Sequence, residues 1–204
     1  MPDKYILGYA MDRSLCAVTA EDVRRLTHLN LAFGVLKNGL LDLSRLPHIG
    51  EIQRYRKENP ALRVVLSVGG WGAGGFSTMA MTEGGRRAFA QSCLRAVDAH
   101  GLDGIDIDWE YPCVDSAGID ADPRDSENFP LLLSALRDAL GDGRIVSIAA
   151  GAGTYFCQNT DMAEVARICD YVQLMTYDIR SGFEREAGHH ACLYTGDGDR
   201  LAGD

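Results

Sequence analysis

The chain has 204 residues, of which 46% are hydrophobic and 24% are charged, a composition typical of one globular core. Its formal net charge of -9 argues against nucleic acid or an anionic membrane surface as a partner. No apolar run approaches the length of a membrane span, and the N-terminus lacks a basic segment followed by a long apolar one. We therefore expect no membrane partner, and either a cytoplasmic location or a mature secreted domain.

Strands and helices are predicted to alternate along the chain, with roughly 30 residues to a unit. The predicted strands are runs of apolar, β-branched and aromatic residues at 4–10, 28–34, 63–68, 101–112, 145–150 and 171–175. The predicted helices have apolar residues at helical spacing and cover 20–26, 46–59, 83–100, 126–140 and 161–169. Asn38-Gly39 indicates a hairpin turn, the glycine-rich segment 69–76 indicates a loop, and the residues from 179 onward are predicted to form a loop.

This alternation predicts an α/β fold with a parallel sheet, either doubly wound or a (β/α)8 barrel of the TIM type. A doubly wound nucleotide-binding sheet usually carries a glycine fingerprint, which is absent here. Candidate functional residues instead follow the ends of many strands, as is typical of a barrel. These residues are Tyr9, Phe33, Ser67, Glu110 and Tyr177.

The predicted strand at residues 101–112, GLDGIDIDWEYP, carries an unusual row of acids. Alternate side chains of a strand share a face, so Asp106, Asp108 and Glu110 face one way and the apolar residues between them face the other. Carboxylates this close repel one another, so at least one is expected to hold a proton well above its usual pKa, as a general acid must. A solvated edge strand and an oxygen-rich metal site are the alternatives. The interleaved apolar residues disfavour the first, and calcium ligands usually lie on a turn.

Three blocks together resemble glycoside hydrolase family 18, the chitinases and their relatives, in the bacterial form. The acidic row fits the DxxDxDxE signature of that family, which is a specific motif, and the other two blocks fit its third and sixth strands. The matching residues are Asp103, Asp106, Asp108 and Glu110 for the signature, 67–70 (SVGG) for the SxGG block, and 175–178 (MTYD) for the block of the sixth strand.

The resemblance implies a retaining, substrate-assisted mechanism. Glu110 would be the general acid and base, and Asp108 would orient the 2-acetamido group of the substrate and stabilise the charge that forms on it. Asp106 would share a proton or a hydrogen bond with Asp108, and Tyr177 would donate to the acetamido carbonyl. No cofactor and no metal ion is implied. His189 and His190 are expected to be loop residues rather than metal ligands, since no third ligand lies at a suitable spacing.

Six further residues are assigned to substrate binding, each with a packing role as the alternative. Trp71 is expected to stack on a sugar ring or to pack at the top of the barrel. Tyr9 is expected to support the two aspartates or to lie in the core. The set is Tyr9, Phe33, Ser67, Trp71, Met175 and Asp178.

A (β/α)8 barrel typically needs about 250 residues, and only six strands are predicted here. Residues 1–204 are therefore interpreted as a single, partial catalytic domain with the first six βα units. A missing C-terminal segment or a second chain is expected to complete the barrel, and a shortened homologue is the third possibility. The chain alone is expected to show little hydrolysis.

The predicted function is hydrolysis of β-1,4 bonds between N-acetylglucosamine units, with chitin or chito-oligosaccharides as the substrate. The alternatives are an endo-β-N-acetylglucosaminidase acting on N-glycans, a non-catalytic chitin-binding, lectin-like relative, and an inactive fragment. The retention of Glu110 favours catalysis. A metal-dependent hydrolase that uses the carboxylates is disfavoured.

Overall fold

The computed structural model describes residues 4–182, 185 and 187–194. Seven strands and seven α-helices alternate along this part of the chain. The strands are β1 (Leu7–Met11), β2 (His28–Lys37), β3 (Leu40–Asp42), β4 (Arg63–Gly69), β5 (Gly104–Asp108), β6 (Ile145–Gly151) and β7 (Tyr171–Met175). The helices are α1 (Ala20–Arg25), α2 (Ile52–Glu58), α3 (Phe76–Ala80), α4 (Glu83–His100), α5 (Asp125–Leu140), α6 (Thr154–Gln158) and α7 (Met162–Ile168).

Six of the strands form one parallel sheet in the order β1-β2-β4-β5-β6-β7, and β3 pairs antiparallel with β2. The sheet is strongly curved. Asn30 on β2 donates a hydrogen bond of 3.1 Å to Gln173 on β7, although three strands lie between them. In a flat sheet these two strands would lie about 19 Å apart. The curvature confirms the predicted barrel-type fold, and the six strands form a partial barrel.

The alternation predicted for β5 sorts its side chains onto two faces. Ile105 and Ile107 are fully buried on the outer face. Trp109 continues this face, with its ring stacked on Phe76 at 5.3 Å and edge-on to Phe129 at 5.4 Å. These contacts fix the outer face against the helices, because large aromatic rings bury much apolar area. The acids of the same strand are left facing the barrel interior.

The predicted boundaries hold best for long periodic segments. Helix α4 and strand β7 have the bounds that the sequence predicts. The acidic strand is shorter than predicted, because its neighbour β4 ends at Gly69, which lies opposite Asp108. Glu110 therefore lies two residues beyond the sheet.

Three other segments differ from the prediction. Helices α3 and α6 were not predicted, and the predicted helix at 46–59 is helical only from 49, with a 3₁₀ turn at Ile49–Glu51 before α2. Asp12 accepts hydrogen bonds from the backbone N–H and ring Nδ1 of His48, which ties down the segment in front of that turn. After Met175 the described residues add no strand or helix, so the sixth strand has no helix within them. No helix in the described part of the chain is long and apolar enough to cross a bilayer.

Candidate active site

Asp106 is the centre of the barrel interior and is fully buried. Its Oδ2 accepts hydrogen bonds from Tyr9 Oη at 2.8 Å and Ser67 Oγ at 2.7 Å. Its Oδ1 accepts from Ser147 Oγ at 2.7 Å and Gln173 Nε2 at 2.9 Å. The four donors come from β1, β4, β6 and β7. Burial raises the pKa of Asp106, and these four hydrogen bonds oppose the rise because each favours the charged carboxylate.

Asp108 faces the same interior but lacks such donors. Only 4% of the residue is exposed, and its Oδ1 is buried with no hydrogen-bond partner among the described residues. Burial, followed by the negative charges of Glu110 and Asp106, raises the pKa of Asp108 to about 8. Asp108 therefore carries a proton at neutral pH in the unliganded protein.

Glu110 is half-buried at the mouth of the barrel. Burial raises its pKa, and the negative charge of Asp178 adds to the rise, while a hydrogen bond with Tyr111 opposes it. The repulsion expected among the three carboxylates is not a main cause of the raised pKa of Glu110. The repulsion along the row acts mainly on Asp108, whereas Glu110 responds to burial and to Asp178.

All described contacts of Asp106 go to other strands. The hydrogen bond or shared proton between Asp106 and Asp108 therefore stays a prediction. Asp103, the first acid of the signature, lies at the opposite end of the strand. Arg56 and Arg63 donate to it at 2.7 and 2.9 Å, and the Val64 N–H donates at 2.8 Å.

The backbone at the end of β5 is held by the glycines that end β4. The Gly70 N–H donates to the Asp108 carbonyl oxygen at 2.8 Å. A Cβ at Gly69 would lie 2.0 Å from that same oxygen, and Gly69 has a φ of 125°, which L side chains rarely adopt. The two strands can approach this closely only because residue 69 has no side chain.

Tyr177 and its neighbours lie just beyond β7. Burial raises the pKa of Tyr177, and the negative charges of Asp108 and Glu110 add to the rise. Its ring stacks on His190 at 6.2 Å, and Nδ1 of His190 lies 3.3 Å from Asp178. Met175, predicted to line the site, ends β7 beside Gly151 of β6. His190 is thus a loop residue in contact with two predicted site residues.

A cleft of about 660 Å³ lies at the carboxyl ends of β1, β2 and β4, and Gly69 and Gly70 form part of its lining. Phe33 and Trp71 line it. Trp71 is 53% exposed, and the edge of its ring approaches Tyr111, the residue after Glu110, at 6.4 Å. An exposed indole beside an acid row is a suitable platform for a sugar ring.

Ser67 and Tyr9 are placed differently from the substrate contacts that the sequence assigned. Ser67 is fully buried and donates to Asp106, so its assignment to substrate binding is corrected to support of that carboxyl. Tyr9 is partly exposed, and its hydroxyl is bound to Asp106, which agrees with the supporting role considered for it.

The sequence interpretation missed five residues of the site. Ser147 and Gln173 are polar residues within apolar strands, IVSIAAG and YVQLM, and this interruption was the available signal. The Tyr155 ring lies 5.1 Å from Tyr111. The full set is Asn30, Tyr111, Ser147, Tyr155 and Gln173.

Comparison with known proteins agrees with this geometry. Residues 5–204 match the family model described as glycosyl hydrolases family 18. The chain belongs to this family of glycoside hydrolases. Its chitinase-like character is shared by Chitinase A1 of Niallia circulans, which is 37% identical over 157 residues, or 72% of this chain and 22% of that protein. Chitinase B of Serratia marcescens is 28% identical over 87% of this chain and 39% of its own length.

Solved structures of this family superimpose closely on the chain. A family 18 N-acetylglucosaminidase from Paenibacillus barengoltzii is 48% identical with a TM-score of 0.93, covering 97% of this chain and 60% of that one. The chitinase domain of the spore coat protein CotE from Clostridium difficile is 34% identical with a TM-score of 0.87, covering 96% and 57%. The chain thus spans less than two thirds of the length of each of these relatives.

Proposed function

We propose that the protein hydrolyses β-1,4 bonds between N-acetylglucosamine units by a retaining, substrate-assisted mechanism, with Glu110 as the general acid and base. The observation that carries the proposal is the buried Oδ1 of Asp108, which has no hydrogen-bond partner within the described part of the chain and lies beside a half-buried Glu110. A free carboxyl oxygen at that place suits the N–H of a 2-acetamido group. Membership of family 18 and the chitinase relatives support the substrate class.

The first step breaks the glycosidic bond. Protonated Glu110 gives its proton to the glycosidic oxygen, and the leaving sugar departs with that oxygen and the electron pair of the bond. The acetamido carbonyl oxygen attacks C1 on the opposite face and closes an oxazolinium ring. On substrate binding Asp108 releases its proton to solvent, and as a carboxylate it accepts the acetamido N–H and stabilises the positive charge. Tyr177 donates its hydroxyl hydrogen to the oxygen that attacks.

The second step opens the ring. Glu110, now a carboxylate, removes a proton from water, and the water oxygen attacks C1 as the C1–O bond of the ring breaks. The two attacks from opposite faces retain the anomeric configuration. Glu110 ends protonated and the acetamido group is regenerated. Burial favours this cycle, because it lets Glu110 hold a proton closer to neutral pH than a free glutamate does.

The domain is proposed to be one catalytic barrel, to which residues 1–204 contribute the first six strands. The experiment is release of a fluorophore from a chitobioside glycoside by the full-length protein, with Glu110→Gln as the control. Equal fluorescence signals from the two proteins would contradict the proposal. NMR of the first product should show the β-anomer, and an α-anomer would exclude retention.

A second candidate is removal of single N-acetylglucosamine residues from chain ends. Similarity to the N-acetylglucosaminidase from Paenibacillus barengoltzii favours it. Parallel assays with a fluorogenic N-acetylglucosaminide, a chitobioside and an N-glycan separate this candidate from chitin hydrolysis and from endo-β-N-acetylglucosaminidase activity. Binding of chito-oligosaccharide without turnover of any of the three would indicate a lectin-like relative.

A further inference from the structure

Two side-chain amides form a line across the barrel interior to the central acid. Asn30 is fully buried on β2, and its Nδ2 donates to Gln173 Oε1 at 3.1 Å. Gln173 Nε2 then donates to Asp106 Oδ1 at 2.9 Å. The line joins strands that are not neighbours in the sheet. It consists of side chains alone, so it adds nothing to the pairing of the sheet itself.

The order of donors in this line determines what Asp106 receives. An amide side chain has one accepting end and one donating end. Because Asn30 donates to Oε1, Gln173 has its NH₂ group directed to Asp106. If Gln173 turned over, its oxygen would face the Asp106 carboxylate and its NH₂ group would face the NH₂ group of Asn30. Asn30 also donates a hydrogen bond to the Tyr9 phenol, which keeps its NH₂ group on this side, and it therefore favours one direction of Gln173.

The other three donors to Asp106 do not have this property. Tyr9, Ser67 and Ser147 present hydroxyls, and a hydroxyl rotates to donate to a carboxylate or to accept from a protonated carboxyl. An amide NH₂ only donates. Gln173 is thus the one donor among the four described contacts that excludes a proton on Oδ1, and its hydrogen bond is stronger to a charged carboxylate than to a carboxyl protonated on Oδ2.

We propose that Gln173, oriented by Asn30, is a positioning residue that keeps Asp106 as a carboxylate acceptor, so that the proton of the acidic row lies on Asp108. The inference rests on the proposed function, in which Asp108 and Glu110 work beside a fixed Asp106. Gln173 does not contact the substrate in this mechanism. It acts through the protonation state of its neighbour.

The surroundings of Asp106 agree with this role. Among the described residues, the titratable groups whose pKa responds to the charge of Asp106 are an acid, phenols and a thiol, and the rise of the pKa of Asp106 on burial is opposed by hydrogen bonds. Loss of one donor should therefore raise the pKa of Asp106 further. The interacting groups are Tyr9 on β1, Asp108 on β5, Tyr171 on β7, Cys169 just before β7 and Tyr177 just after it.

The test is the pH profile of kcat/KM for the full-length protein and its Gln173→Met and Gln173→Glu variants. Methionine keeps the shape of the side chain and loses the donor. We expect the acid limb of Gln173→Met to move up by about one pH unit, with kcat reduced and KM nearly unchanged. Glutamate donates only when it is protonated, so its acid limb should move further. Asn30→Leu should move the limb in the same direction by a smaller amount.

Ser92→Ala is the matched control. Ser92 is buried outside the barrel interior, where its Oγ accepts from the Leu41 N–H and donates to the Phe89 carbonyl. It should lower the melting temperature without moving the acid limb. If Gln173→Met and Gln173→Glu lose stability like Ser92→Ala and keep the wild-type limb, Gln173 is merely structural and the proposal fails.

A second readout separates this proposal from the proposed function. If the wild-type protein hydrolyses none of the glycosides, the proposed function fails, and the pH profile cannot be measured. Carboxyl ¹³C NMR then follows Asp106 directly, with its signal assigned by its absence in Asp106→Asn. A higher titration midpoint in Gln173→Met supports the positioning role, and an unchanged midpoint overturns it.

Discussion

The two ends of β5 carry the same kind of side chain in opposite surroundings. At the amino end, Asp103 accepts from two guanidinium groups and one backbone N–H. At the carboxyl end, Asp108 has a buried oxygen without a partner among the described residues, and its pKa is raised to about 8. Only four residues lie between a carboxylate that accepts three hydrogen bonds and a carboxyl oxygen that accepts none from the described residues.

This difference shows that the two ends of one strand have different roles. The carboxyl at the amino end stabilises the fold, and the carboxyl at the other end is available for the proposed reaction. A buried carboxyl with well-placed donors holds its neighbours together and resists protonation. A buried carboxyl without such donors lowers stability when it ionises, and it can accept a hydrogen bond from a ligand or bind a proton. Asp106, midway between the two, is buried like Asp108 but bonded like Asp103.

The largest effect is expected at the carboxyl end. Glu110→Gln removes the proton donor and keeps the shape of the side chain. General acid–base catalysis contributes about 10² to 10⁴ in rate, so kcat of the full-length protein should fall by at least about a hundredfold. The melting temperature should stay within a degree or two. A variant with wild-type kcat would remove Glu110 from the chemistry.

At the amino end, Asp103→Ala should cost stability and leave the chemistry alone. It removes an acceptor shared by Arg56, Arg63 and the Val64 N–H, and we expect a loss of about 2 kcal/mol in the free energy of unfolding. Denaturant unfolding measures this loss, and kcat should be unchanged well below the melting temperature. Asp98→Ala, which breaks an exposed pair with Arg144, is the control and should cost less than about 1 kcal/mol.

Asp108→Asn should change stability and activity in opposite directions through one residue. The unfolded carboxyl titrates near ~3.9, and the folded one at about 8. Between these values the native state binds more protons than the unfolded state, so the stability from Asp108 falls as pH rises through this window. Asparagine cannot ionise. The variant should therefore gain stability relative to wild type as pH rises from 4 to 8, by about 5 kcal/mol at the upper end, while kcat drops. A pH-independent difference in thermal unfolding would contradict the raised pKa.

The smallest effect is expected outside the strand. Trp71→Ala removes an indole that is 53% exposed, so the melting temperature should hardly change. If the ring stacks on a sugar, KM for chito-oligosaccharides should rise several-fold with kcat nearly constant. Trp71→Phe should restore part of the affinity. An unchanged KM in the alanine variant would assign Trp71 to packing.

The local sequence pattern was sufficient to predict much of the secondary structure and part of the candidate site. The bounds of α4 follow from its apolar spacing, and the shared face of Asp106 and Asp108 follows from strand alternation alone. The rest depends on segments far apart in sequence. Gln173 and Asn30 meet only because the sheet curves, and Asp178 acts on Glu110 only because two strand ends converge. Even the length of β5 is determined by where β4 stops pairing.

The close approach of Gly69 to the Asp108 carbonyl has a consequence for variation in the sequence. A library of random substitutions would find the carboxylates replaceable at the cost of turnover, since a folded, inactive protein remains. At position 69 even alanine would place its methyl group 2.0 Å from a backbone oxygen. One of the positions least tolerant of substitution is therefore expected to be a residue that takes no part in proton transfer. Among the variants of such a library that are expressed in soluble form, we expect to find glycine alone at position 69.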